Sequence, residues 1–147
     1  MRRAASLRLL ALGVVLAGLL AAGAARSQDA DAEYQASWLE AQSALAAFAN
    51  AQLAQGRKQL ERGQLQAAYR RESERYAKAL ARLGARLPPP EAAPMHWRLL
   101  PLHERALSAM KLALGAMERG DEAAQAAAWA SLRGTVEALK RALQERL

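Results

Sequence analysis

Apolar residues recur at steps of three and four along most of this chain, a pattern typical of helices that bury one side. In the first such segment they are Tyr34, Trp38, Ala41, Leu45 and Phe48. The phase then slips by about a residue, and Leu53 and Leu60 continue the series across Gly56. The pattern predicts one long helix with a weak point at Gly56, ending at Gly63.

The second segment carries two stripes on opposite sides of a predicted helix. The apolar stripe consists of Leu65, Tyr69, Tyr76, Leu80, Leu83 and Leu87. The other, here called the basic stripe, consists of Arg71, Arg75, Lys78, Arg82 and Arg86. At about 100° per residue, the first stripe faces a core and the second faces outward. Gly84 and the prolines that begin at Pro88 end this helix.

Two more helices are predicted after the prolines. The apolar positions of the third are Met95, Leu99, Leu102, Ala106, Met110, Ala113 and Met117. Pro94 suits its first helical position, and Pro101, which lacks an amide hydrogen, predicts either a kink or a later start near Leu100. The fourth helix begins after Asp121, a good N-cap, and runs to the chain end. Its apolar positions are Trp129, Leu132, Val136, Leu139 and Leu143.

Similar sequences, LERGQLQAA and MERGDEAAQ, stand at both predicted helix-to-helix connections. We expect Gly63 and Gly120 to end a helix in each, because glycine adopts the left-handed conformation without steric cost, and Asp121 to open the next helix. The tripeptide Arg119-Gly120-Asp121 also matches a cell-adhesion motif. A helix-hairpin turn explains both copies and adhesion explains one, so we interpret the tripeptide as a turn.

The predicted fold is all-α: an up-down-up-down antiparallel four-helix bundle. It is built from two α-hairpins, at about residues 30–86 and 95–146, joined by a Pro-rich linker at 87–94. Beyond Ser27 the β-branched residues are Thr135 and Val136 alone, which argues against a sheet.

The first 27 residues have the pattern of a signal peptide. Arg2, Arg3 and Arg8 precede an uncharged run that begins at Leu9, and small residues follow it. Cleavage fits after Ala25 or after Ser27, and we prefer Ser27, which leaves a mature domain at 28–147. The alternative is an uncleaved membrane anchor. We therefore expect an exported protein, periplasmic or extracellular.

Charge and cysteine content exclude several classes of function. The chain has 21 basic and 14 acidic residues, but four of the basic ones precede Gln28, so the domain beyond carries 17 against 14, a net +3. That charge is ordinary and does not favour nucleic acid as a partner. The chain contains no Cys, which excludes disulfides, thiolate metal sites and a lipoprotein anchor.

The segment at 87–143 is similar to the second half of the soluble periplasmic b-type cytochrome family. The common features are a signal peptide, a Pro-rich linker, a third helix, a Gly-containing turn before an Ala-rich stretch, and a last helix. In that family a Met early in the first helix and a His late in the last hold haem. Here no Met occurs between Met1 and Met95 and no His follows His103. The resemblance therefore implies a bundle without those haem ligands, and no cofactor is expected.

The two imidazoles, His96 and His103, are seven residues apart. On one helix they would lie about 10 Å apart, too far to hold one metal ion directly. We expect exposed or capping histidines beside the linker; a haem or zinc site built from them is the alternative. Trp38, Phe48 and Tyr76 are expected in the core, whereas the pattern leaves Trp97 undecided.

No motif for catalysis is present: there is no thiol, no nucleophile elbow and no phosphate loop. We therefore expect a non-catalytic protein, monomeric or homodimeric. The basic stripe is the candidate face for an acidic protein or an anionic membrane surface. The alternative is a solvated face, partly paired with Asp29, Asp31, Glu33 and Glu40.

Overall fold

The structure, a computed structural model, describes residues 28–57 and 60–145. The predicted leader lies outside this range. Four helices follow one another, α1 (Gln28–Gly56), α2 (Arg62–Gly84), α3 (Ala93–Arg119) and α4 (Glu122–Gln144), and the described residues contain no strand. Helices adjacent in sequence pack against each other. The predicted all-α four-helix bundle is confirmed.

The first helix is shorter than its sequence predicts. It ends at Gly56, and Gly63 is the second residue of α2, so the expectation that Gly63 ends a helix is wrong. The cause is the polar residue after it: the side chain of Gln64 accepts a hydrogen bond from the backbone N–H of Glu61 (2.9 Å). That bond satisfies an amide which has no partner within the helix, so Glu61 to Gln64 start α2 instead of ending α1.

The connection between α3 and α4 contains the glycine turn that the sequence predicts. Gly120 has φ +69°, in the left-handed region, and ends α3. The N–H of Asp121 donates to the carbonyl of Ala116 (2.9 Å). The carboxylate of Asp121 accepts from the N–H of Ala124 (2.9 Å) and so caps α4. Of two similar sequences, therefore, only the second is a glycine-terminated turn.

The third helix runs through its internal proline. It begins at Ala93, with Pro94 in its first turn, and includes Pro101. The alternative of a start near Leu100 is therefore wrong. Pro101 is exposed, so the ring occupies the solvent side of the helix.

The four apolar stripes meet in one core. Phe48, Tyr69 and Trp129 form an aromatic group there, with ring centroids 4.1 Å apart for Phe48–Tyr69 and 5.4 Å apart for Phe48–Trp129. Two leucines assigned to the stripes are exposed instead, Leu53 and Leu87. Leu53 is five residues beyond Phe48, which turns it about 140° away from the core, and Leu87 lies after α2 has ended. Within the described residues, no helix combines the length and apolarity that crossing a bilayer requires.

Candidate functional site

Both histidines lie inside the bundle. His96 is 1% exposed and His103 is 2% exposed, so the expectation of exposed or capping histidines is wrong. The physical reason is their register: His96, His103, Met110 and Met117 follow one another at intervals of seven, so the imidazoles occupy the same side of α3 as two buried methionines.

Each imidazole is hydrogen-bonded to a tyrosine from another helix. Tyr34 Oη of α1 lies 3.1 Å from Nδ1 of His96, and Tyr76 Oη of α2 lies 2.5 Å from Nδ1 of His103. The ring of Trp38 stands edge-on to both imidazoles, with centroids 5.9 Å from His96 and 5.1 Å from His103. We call these five residues the His–Tyr cluster; it joins α1, α2 and α3 across the core.

Burial keeps the His–Tyr cluster neutral near pH 7. It lowers the pKa of His103 from 6.5 to about 4 and also lowers the pKa of His96. Burial raises the pKa of Tyr34 and that of Tyr76. Low-dielectric surroundings disfavour the charged form of each group, so the cluster holds neutral imidazoles and neutral phenols.

One buried nitrogen of the cluster has no hydrogen-bond partner among the residues that the structure describes. It is Nε2 of His96, while Nδ1 of the same ring is hydrogen-bonded to Tyr34. An imidazole oriented through one nitrogen with the other free has the arrangement of a metal or haem ligand. Over residues 28–57 and 60–145, however, no group of three or more metal-binding side chains comes together. A metal ion bound by His96 would therefore not find two further side chains of these types beside it in the described part of the chain.

The basic stripe is largely paired with carboxylates. Arg75 bonds to Glu40 of α1 (2.8 Å) and to Glu72 (2.6 Å). Arg71 bonds to Glu72 (2.7 Å), and Arg86 pairs with Glu33. The pairing with Glu33 and Glu40 is the one that the solvated-face alternative foresees. Asp29 and Asp31 form no ion pair within the described residues.

The other two members of the basic stripe have no carboxylate partner within the described residues. Lys78 and Arg82 are exposed, are one turn apart on α2, and take part in no ion pair among the residues that the structure describes. The basic stripe therefore contains one pair of neighbouring cations without carboxylate partners, the Lys78–Arg82 step, and paired arginines precede and follow it.

Glu72 is a site residue that the sequence pattern missed. It is 2% exposed, although its carboxylate bonds to both Arg71 and Arg75. Its position could have been read from the helix period, because Glu72 is three residues after Tyr69 and four before Tyr76, both in the apolar stripe. Trp97, left undecided above, is exposed and stands edge-on to His96.

No protein-family model, curated protein or solved structure matches this chain. What the bundle does must therefore be inferred from its own residues.

Proposed function

We propose that this chain is an exported, non-catalytic protein of the cell envelope that binds an anionic membrane surface through α2. The observation that carries the proposal is that Lys78 and Arg82 are exposed and form no ion pair with any residue that the structure describes. Charged side chains that protrude without an acidic partner are available to phosphate groups of lipids.

Because most arginines of the basic stripe are paired, the contact with the membrane surface is small and is confined to Lys78 and Arg82. Arg75 and Arg86 are held against α1 by Glu40 and Glu33, so their charges are largely compensated within the bundle. Binding then depends on Lys78 and Arg82 rather than on five equivalent cations. Because an exposed cation near an anionic surface contributes about 1 kcal/mol, two of them give weak, salt-sensitive binding.

A non-catalytic role fits the chemistry of the interior. The imidazoles and phenols of the His–Tyr cluster are buried and bonded to each other. Proton transfer to a substrate requires a group that can reach it, with a pKa near the working pH, and His103 meets neither condition. Export rests on the leader pattern of residues 1–27.

Vesicle sedimentation tests the proposal. Protein is mixed with vesicles of phosphatidylcholine alone or with a quarter of phosphatidylglycerol, at low and at physiological salt. We expect binding to the anionic vesicles only, weakened by salt and abolished in the double variant K78E/R82E. The matched control is R105E/K111E, which makes the same charge change at exposed positions of α3.

Equal loss of binding in both double variants would show that net charge alone is responsible, and no binding by the native chain would overturn the proposal. A third outcome is that the chain does not bind vesicles but forms a salt-sensitive complex with an acidic envelope protein, and that K78E/R82E abolishes this complex. The partner of Lys78 and Arg82 would then be that protein and not the membrane.

A second candidate function is cofactor binding, favoured by the free Nε2 of His96. Haem would be held through that nitrogen. The buried thioethers of Met110 and Met117 lie about 21 Å and 32 Å further along α3, too far to bind the same iron. Haemin titration tests it: a saturable Soret band that is lost in His96→Ala and kept in His103→Ala supports haem ligation at His96. Absence of a band in the native chain, with folding verified by circular dichroism, would exclude it.

A further inference from the structure

The outer side of α1 differs from the surface of the other helices. From Ala41 to Gly56 the sequence contains no charged residue, whereas α2, α3 and α4 all carry several charges. Two leucines are exposed there, Leu39 (51%) and Leu53 (43%). A helix that is apolar on more than one side is ordinarily packed on more than one side. Within the described residues, the other helices bury the inner side of α1, and the long side chain of Arg75 reaches around the helix to donate to Ser43 Oγ (3.4 Å).

Five exposed residues and the half-buried Ala46 on this outer side follow the spacing of a coiled-coil seam. They stand at successive steps of three and four, and we call them the α1 outer seam: Ala36, Leu39, Ser43, Ala46, Asn50 and Leu53. Such a repeat places every member along one line of the helix and suits packing against a second helix. Small residues in the seam allow two helices to approach to about 8 Å.

The α1 outer seam is close to symmetric about Ala46. Leu39 precedes Ala46 by seven residues and Leu53 follows it by seven. A two-fold axis at Ala46 therefore places Leu39 of one copy against Leu53 of another, with the two alanines in contact at the axis. Such self-complementarity is the requirement for an isologous dimer.

We propose that the α1 outer seam binds the same seam of a second copy of this chain, in antiparallel orientation. Charge supports this orientation over the parallel one. Asp29 and Asp31 lie at the beginning of α1 and form no ion pair within the described residues, and Arg57 follows the end of α1. Antiparallel packing brings Arg57 within about one turn of Asp31 in the other copy, whereas parallel packing would put like charges together.

The dimension of the seam predicts a transient dimer. Residues 36–56 form about 30 Å of helix, and a contact one helix wide buries less than the roughly 1,200 Å² typical of stable complexes. We therefore expect a dissociation constant in the micromolar range or above. This interface lies on α1 and is separate from the Lys78–Arg82 step of α2, so either proposal can fail without the other.

Sedimentation velocity over a wide concentration range tests the dimer, with protein expressed from the complete sequence and its mass recorded. L39E and L53K should each raise the dissociation constant about tenfold or more, because each buries a charge against a leucine. The double variant L39E/L53K should dimerise better than either single variant, because antiparallel packing pairs the new charges. Leu112→Glu, at an exposed leucine of α3, is the matched control and should change nothing.

Cysteine cross-linking tests the orientation, because the chain has no native Cys. A46C should form a disulfide-linked dimer on mild oxidation, since a disulfide needs Cα atoms about 5–6 Å apart. L39C alone should not, whereas L39C/L53C should. Efficient cross-linking of L39C alone would indicate a parallel dimer and overturn the assignment. A native chain that stays monomeric at millimolar concentration would overturn the proposal altogether.

Discussion

Acid should destabilise this bundle through the buried imidazole of His103 as the pH falls below 6.5. The imidazole is hydrogen-bonded to the hydroxyl of Tyr76, and burial lowers its pKa from 6.5 to about 4. Above pH 6.5 the folded and unfolded chains both hold it neutral, and stability is complete. As the pH falls below 6.5 the unfolded chain takes up a proton that the folded chain resists, so stability is lost until the folded imidazole titrates near pH 4.

The size of this effect follows from the two pKa values. At pH 5 the unfolded imidazole is almost fully protonated and the folded one only about a tenth, so the free energy of unfolding falls by about 2 kcal/mol; below pH 4 the loss approaches about 3 kcal/mol. His96 adds to the loss in the same direction, because burial lowers its pKa as well. Tyr34 and Tyr76 face the two imidazoles and have raised pKa values, so they remain neutral throughout this range.

Carboxylates near the surface titrate at lower pH. Arg75 holds the pKa of Glu40 below its ordinary value of 4.5, and Arg70 does the same for Glu118. The window between pH 5 and pH 6.5 therefore reports mainly on the histidines.

Urea unfolding followed by far-ultraviolet circular dichroism at several pH values from 5 to 8 measures the effect. We expect His103→Leu to remove most of the dependence on pH between 5 and 6.5, and His96→Leu/His103→Leu to remove the rest, whatever their absolute stabilities. If His103→Leu loses as much stability between pH 6.5 and 5 as the native chain does, the assignment of the effect to the buried imidazole is refuted.

Three further changes test individual contacts by chemical unfolding. Gly120→Ala should cost about 1 kcal/mol because Gly120 is left-handed. Its matched control Gly63→Ala should stabilise slightly, by at most about 0.5 kcal/mol, because Gly63 stands in the first turn of α2 with open space around it; equal effects would contradict the two turn assignments. Glu72→Ala should cost about 1–3 kcal/mol, because it removes a buried carboxylate bonded to Arg71 and Arg75, and a neutral result would mean that solvent replaces those bonds freely. Phe48→Ala should cost about 3–5 kcal/mol through the cavity left beside Tyr69, and a loss below about 1 kcal/mol would contradict close packing there.

The fold could be predicted from the sequence because it depends on local periodicity. The steps of three and four that connect Tyr34, Trp38 and Phe48 are a direct consequence of helix geometry, and these residues are buried. Gly63 does not end a helix, because glycine ends one only where the chain adopts a left-handed turn, as it does at Gly120. The decisive factor was the hydrogen bond from Glu61 to Gln64, and the pattern of apolar residues does not reveal it.

The interior site was harder to predict because it depends on pairs from different helices. Tyr34 and His96 are 62 residues apart in sequence, and nothing local shows that they meet. The histidines themselves could have been placed inside from their spacing with Met110 and Met117. Their tyrosine partners depend on how far α3 is displaced along α1 and α2, which only the tertiary packing fixes.

The two tyrosine–histidine bonds also determine which alignment of the helices is allowed. An interior of alanine and leucine tolerates sliding of one helix along another, because one apolar contact replaces another at similar energy. Here, sliding α3 by a heptad could bring one imidazole to a tyrosine but would leave the other, and one phenol, without a partner in an apolar interior. An unpaired buried polar group costs about 1–3 kcal/mol. The apolar residues alone would permit several positions of α3 along its own axis. The bonds Tyr34–His96 and Tyr76–His103 are both formed in one of these positions, so they fix the position of α3 relative to α1 and α2.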